Sequence, residues 1–242
     1  MRYELFYWPT IQGRGEFVRL ALEEAGAAYV DVARESESSG GGVPALMRLL
    51  NAEAVLRPPF APPILKAGDV LLAQTANILQ FLGPRLGLAP ESEADRLWVH
   101  QLQLTITDLV HDVHDTHHPI ASSLYYEEQK PEAKRRATHV IGERLPKFLG
   151  YFERVIARNP NGDGYMVGNR LTYVDLSIFQ IVSGLRYMFP RAMQRLEPAC
   201  ARVVALHDRV KNRPRIATYL ASPRRIPFND KGIFRNYPEL DG

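Results

Sequence analysis

Pro62-Pro63-Ile64-Leu65 is followed, nine residues on, by Gln74-Thr75-Ala76-Asn77-Ile78-Leu79. Ile64-Leu65 fits a buried strand entered through proline, Ala67-Gly68-Asp69 a tight turn and Val70-Leu71-Leu72 a second strand. From Ala76 to Leu82 the apolar residues have the spacing of a helix. Gln74 and Thr75 stand where that helix begins. The first backbone N–H groups of a helix have no partner within it, so a carboxylate brought there finds donors ready.

Upstream, Tyr3-Glu4-Leu5-Phe6-Tyr7-Trp8 alternates like a first strand, and Gly13-Arg14-Gly15-Glu16-Phe17-Val18-Arg19-Leu20-Ala21-Leu22 continues as an amphipathic helix ending near Gly26. Ala28 to Val32 reads as a second strand. Strand, helix, strand, then hairpin and helix is the layout of a small thioredoxin-like domain. On Tyr7, Gly13-Arg14-Gly15-Glu16, Pro63-Ile64-Leu65 and Gln74-Thr75, the chain resembles a cytosolic glutathione S-transferase of the tyrosine type, of the sigma and pi kind. The resemblance implies an α/β thioredoxin-like N-terminal domain over residues 1–83, a linker over 84–94 and an all-α domain over 95–242. It also implies glutathione as cosubstrate.

Residue roles follow from the resemblance. A hydroxyl that donates a hydrogen bond to the glutathione sulfur lowers the thiol pKa, and a drop of about two units makes thiolate the dominant form at neutral pH. Tyr7 is the first candidate for that donor. Its separation from Gly13 is one residue longer than the tyrosine-type pattern, and Thr10 lies four residues before Arg14, the spacing at which serine-type members place their hydroxyl. Both therefore stand as catalytic candidates. Pro62 and Pro63 flank the expected backbone contact to the cysteinyl residue, although Pro62 has no N–H to contribute. Gln74 and Thr75 would hold the γ-glutamyl end, and Arg57 would meet the glycyl carboxylate. Asp108 would reach a partner's γ-glutamyl ammonium across a homodimer interface. His114, Tyr125 and Tyr126 are candidates for the second-substrate pocket, which would take a small electrophile or a peroxide.

The composition agrees with this reading. The 242 residues are 45% hydrophobic with a formal charge of +3, so nothing marks a nucleic-acid binder, and basic residues are dispersed. Apolar runs fall short of a membrane span, which gives a cytoplasmic location as the expectation, and the resemblance implies a detoxifying enzyme. The single cysteine, Cys200, sits in an apolar run and reads as an inert buried thiol. Helices fit Ala94 to His117, Pro131 to Ala157, Tyr173 to Tyr187 and Ala199 to Lys211. Thr172-Tyr173-Val174-Asp175 has the pattern of a capping box. His111, His114, His117 and His118 crowd one stretch without the supporting ligands of a specific metal motif, so no metal is expected. Gly40-Gly41-Gly42 reads as a mobile loop. The aromatic, proline-rich stretch Ile226 to Tyr237 is expected to wrap back over the protein.

Overall fold

The computed structural model describes residues 2–53 and 55–242. They form two compact units: the chain up to Ala89 together with Pro214–Pro227, and Pro90–Arg213 together with Phe228–Gly242. This departs from the expected division at the C-terminal end, because Pro214–Pro227 is tied by buried polar contacts to the first unit instead of continuing the helical one.

In the first unit, β1 (Tyr3–Phe6), β2 (Tyr29–Asp31), β3 (Ile64–Ala67) and β4 (Val70–Ala73) make one sheet in the order β2-β1-β3-β4. β1 runs parallel to β2 and antiparallel to β3, which is antiparallel to β4. The parallel pair needs a crossover, supplied by α1 (Gly15–Ala25). Two further helices, α2 (Gly42–Leu50) and α3 (Thr75–Arg85), complete the layers. Side chains alternate across a strand. Tyr3 and Leu5 therefore enter one core with Val18 and Leu22 of α1 and Ile78 and Leu82 of α3. Phe6 and Ile64 enter the other with Val32, Ala45 and Leu46. The glycine run expected as a loop leads directly into α2.

The second unit is helical: α4 (Glu93–His114), α5 (Lys130–His139), α6 (Leu145–Ala157), α7 (Tyr173–Met188), α8 (Pro190–Leu196) and α9 (Ala201–Lys211), with a five-residue π turn joining α5 to α6. The remaining helix, α10 (Pro214–Leu220), belongs to the first unit. α7 is buried along nearly its whole length and is held to α4 by Ser177 donating to Gln103 at 2.7 Å. The fully buried Asp175 accepts from the N–H groups of Met166 (2.8 Å) and Thr172 (2.6 Å) and from the Thr172 hydroxyl (2.8 Å). The capping box thus also anchors the loop before α7. Cys200 is buried, and burial pushes its thiol up to about 11.

The last residues strap this unit. Asp241 accepts from the N–H groups of Arg191 and Ala192 at the start of α8. Phe234 lies against Gly184 so closely that a Cβ there would come within 2.4 Å of the ring. His117, fully buried, bonds through Nε2 to the Ile233 carbonyl at 2.8 Å, and burial lowers its pKa to about 3. Unfolded, the same imidazole titrates near 6.5, so between about pH 6.5 and 3 the unfolded state binds more protons and this residue's contribution to stability falls as the pH falls. The slope is at most about 1.4 kcal/mol per pH unit. Urea titrations from pH 7 to 4 should therefore show a shallower acid loss in His117→Gln, which keeps a donor for Ile233, than in the parent. Parallel curves would dismiss the buried neutral histidine.

Candidate functional site

Strand register brings three of the expected residues into one row. Phe6 pairs with Ile64 and Ile64 with Ala73. The next position outward on each strand is Tyr7, Pro63 and Gln74, so these three stand side by side at one end of the sheet. The Pro62–Pro63 peptide is cis. Gln74 has φ 68° and ψ 119° while its carbonyl already accepts from Ile78 in the first turn of α3. A non-glycine residue in that region costs about 1–3 kcal/mol and persists where the surrounding structure enforces it, commonly at a binding site.

The backbone of Arg14 joins the two ends of this row. Its N–H donates to the Tyr7 hydroxyl at 2.8 Å, and its carbonyl accepts from the Thr75 hydroxyl at 3.2 Å. Gly13 and Gly15 on either side make the contact feasible. A Cβ on Gly13 would fall 2.1 Å from the Tyr7 hydroxyl, and one on Gly15 would fall 2.5 Å from the ring. The Gly-Arg-Gly turn therefore lies flat on Tyr7, which is 5% exposed.

Burial raises the Tyr7 phenol above its ordinary value, opposed by the Arg14 N–H and by the charges of Arg14 and Arg19. The Arg19 guanidinium lies over the ring, 5.7 Å from its centroid. At neutral pH the hydroxyl keeps its proton. With its oxygen already accepting from Arg14, that proton is available for donation to an anion.

Among the other expected residues of this unit, Thr10 is exposed in the turn after β1, and Pro62 is half-buried at the cis peptide. Arg57 is exposed in the irregular stretch before Pro62, and no register places it in the row. The second unit carries the rest. Asp108 lies on the exposed side of α4 with Leu97 and Leu104, whose spacing puts them on one face. His114 is partly buried beside Asp115 and packs its ring against those of His117 and His118. Tyr125 is 78% exposed. Tyr126, expected to line a pocket, is instead buried: its ring stacks on Tyr237 at 3.9 Å and its hydroxyl donates to Glu239 at 3.1 Å. The C-terminal strap occupies the side chain that sequence alone leaves open.

Sequence reasoning assigned Arg14 no site role, since its contribution is made by backbone. It also passed over the buried set around Arg19, where Glu16 and Arg19 share one helix face and Tyr219 and Arg225 come from the far end of the chain. The Glu16 to Arg19 spacing was the only local signal for it.

Comparison with known proteins agrees with this architecture. Residues 114–223 match the family described as glutathione S-transferase, C-terminal domain. Over 223 residues the chain is 25% identical to a glutathione S-transferase of Plasmodium falciparum, covering 90% of this chain and 95% of that one. It is 27% identical over 237 residues to bovine glutathione S-transferase P, covering 95% and 98%. Among solved structures, the Onchocerca volvulus Pi-class glutathione S-transferase superposes with a TM-score of 0.71 at 21% identity, covering 96% and 99%. Prostaglandin synthase D of Nilaparvata lugens superposes with a TM-score of 0.70 at 20% identity, covering 94% and 100%. The chain therefore has the glutathione S-transferase fold, carries that family's C-terminal domain and is a relative of its members.

Proposed function

We propose that this protein is a glutathione transferase in which Tyr7 stabilises the glutathione thiolate for nucleophilic attack on an electrophilic substrate. The observation that carries the reading is the row Tyr7, Pro63 and Gln74, closed by the Arg14 bridge to Thr75. A peptide thiol laid along this edge would meet the polar start of α3 with its γ-glutamyl carboxylate. Its sulfur would lie toward the Tyr7 hydroxyl. Attack by sulfur forms the new carbon–sulfur bond and expels the electrophile's leaving group with the electron pair, while the thiol proton passes to solvent. A peroxide would be reduced by the same thiolate as a side activity, and removal of such compounds in the cytoplasm would be a detoxifying role. Tyr125 and His114 are the candidates for second-substrate contact.

A second reading rests on Pro62. It has no N–H, so one backbone bond to the cysteinyl residue is missing, which weakens binding by about 1 kcal/mol if nothing replaces it. A binding module with little turnover would follow if the sulfur then lay out of reach of Tyr7. Ultraviolet titration of bound glutathione in the parent, Tyr7→Phe and Thr10→Ala, with affinity measured by calorimetry, separates these readings. The enzyme reading expects a thiol pKa about two units below the free value that rises only in Tyr7→Phe. A rise only in Thr10→Ala moves the role to Thr10, and an unshifted pKa in all three leaves the binding module.

We also propose a homodimer. Leu97 and Leu104 precede Asp108 on one exposed face of α4, and Leu56 and Phe60 are 91% and 92% exposed. Apolar side chains so exposed fit an interface better than open water. A monomer mass by sedimentation at assay concentration would withdraw the dimer and the role of Asp108 with it.

A further inference from the structure

Behind Tyr7 the first unit buries four charges. Arg19 pairs with Glu16 at 3.3 Å and with Asp31 at 2.7 Å, and both Arg19 and Glu16 are fully buried. Glu16 is also held by the Tyr219 hydroxyl at 2.6 Å and by Arg225. Two guanidiniums and two carboxylates thus balance. The C-terminal segment that supplies Arg225 and Tyr219 is tied to the loop carrying Tyr7, since Gln12 donates to the Ile226 carbonyl at 2.5 Å and Arg19 donates to the Gln12 carbonyl at 3.3 Å. Without Arg225, a single guanidinium would serve two buried carboxylates, and the cluster facing the Tyr7 ring would carry net negative charge.

We propose that Arg225 is a positioning residue for Tyr7. By neutralising Glu16, it leaves the Arg19 guanidinium over the ring to favour negative charge at the hydroxyl and on a sulfur bonded to it. The effect on a bonded sulfur rests on the function proposed above; the effect on the hydroxyl is a property of the protein alone. The charges that bear directly on Tyr7 are Arg14 of its own loop and Arg19 of α1; around Arg19 stand Glu16 of α1, Asp31 of β2 with Arg34 beyond it, and Tyr219 and Arg225, while Arg215 and Arg224 of the same segment are engaged with the Glu24 carbonyl and with Glu23. Of these, Arg225 alone brings positive charge from the distant segment to Glu16. One full charge on the order of 10 Å away, at an effective dielectric near 20, moves a proton equilibrium by roughly one pH unit.

The test reads Tyr7 itself. In protein labelled with fluorotyrosine, fluorine NMR follows the Tyr7 ionisation, assigned by its disappearance in Tyr7→Phe. Arg225→Gln should raise that ionisation by about one pH unit, Arg225→Lys should restore it, and Glu16→Gln should lower it. Should Arg225→Gln not fold, Glu16→Gln still tests the sign. An ionisation unmoved in folded variants, or moved equally by Gln and Lys, overturns the proposal. Bound glutathione is titrated in parallel. A Tyr7 ionisation that follows the charge while the parent's glutathione thiol keeps its free value would leave Arg225 in its role and refute thiol activation instead.

Discussion

Tyr7→Phe should lower turnover of glutathione with an activated aryl halide by about 100-fold while changing the KM for glutathione little. Removing a single preorganised donor from a developing or resident anion typically costs a factor of 10²–10³. The phenol is well placed for such an effect, because burial keeps it protonated and the Arg14 N–H fixes the oxygen at 2.8 Å. Phenylalanine retains the ring on which Gly13 and Gly15 lie, so the turn and the start of α3 should stay in place. A comparable rise in KM with turnover intact would show that Tyr7 shapes the binding edge without acting on sulfur. Steady-state kinetics with each substrate varied distinguishes the two.

The largest stability effect should come from Asp175→Ala, at about 3 kcal/mol or more. Three donors converge on that carboxylate in a fully buried setting, and each buried donor left unsatisfied costs about 1–3 kcal/mol. Thr172→Ala, which removes only the hydroxyl, should cost about 1 kcal/mol. Thermal unfolding of both variants checks the ranking, and equal losses would reduce Asp175 to an ordinary cap. Burial pushes the Asp175 carboxyl up to about 6 from its usual 3.8, so the folded state binds its proton more tightly. Its contribution to stability therefore rises as the pH falls from about 6 to 4, opposite in sign to that of His117. Comparing each variant with the parent separates the two slopes.

The fold was legible where local pattern and tertiary context agree. The alternation of Tyr3 to Phe6, the hairpin turn at Gly68 and the helix start at Thr75 carry their periodicity within a few residues. The Thr172 to Asp175 box was equally plain. Strand register then does what single residues do not: Tyr7, Pro63 and Gln74 share an edge only once three strands are paired. Elements set by remote packing were less visible. Strand character was extended past Phe6 to Trp8, because Tyr7 is buried by the Gly13 to Gly15 turn and not by a paired strand. The short helices α8 and α10 begin at prolines, and their places depend on Asp241 and on the Glu16 cluster, each far off in sequence. Tyr126 shows the same limit, since Tyr237 and Glu239, which occupy it, lie more than a hundred residues downstream.

The interleaving of the two units along the chain bears on synthesis. Domains fold as units, N-terminal ones first as they leave the ribosome. Here the sheet-containing unit is incomplete until Pro227 has been made, because Pro214–Pro227 supplies Tyr219 and Arg225 to a buried pair begun at residue 16. Through most of elongation Glu16 and Arg19 wait without those partners. A recombinant fragment stopped at Ala89 would therefore expose a charged seam, whereas one in which residues 214–227 are grafted after Ala89 would regain its partners.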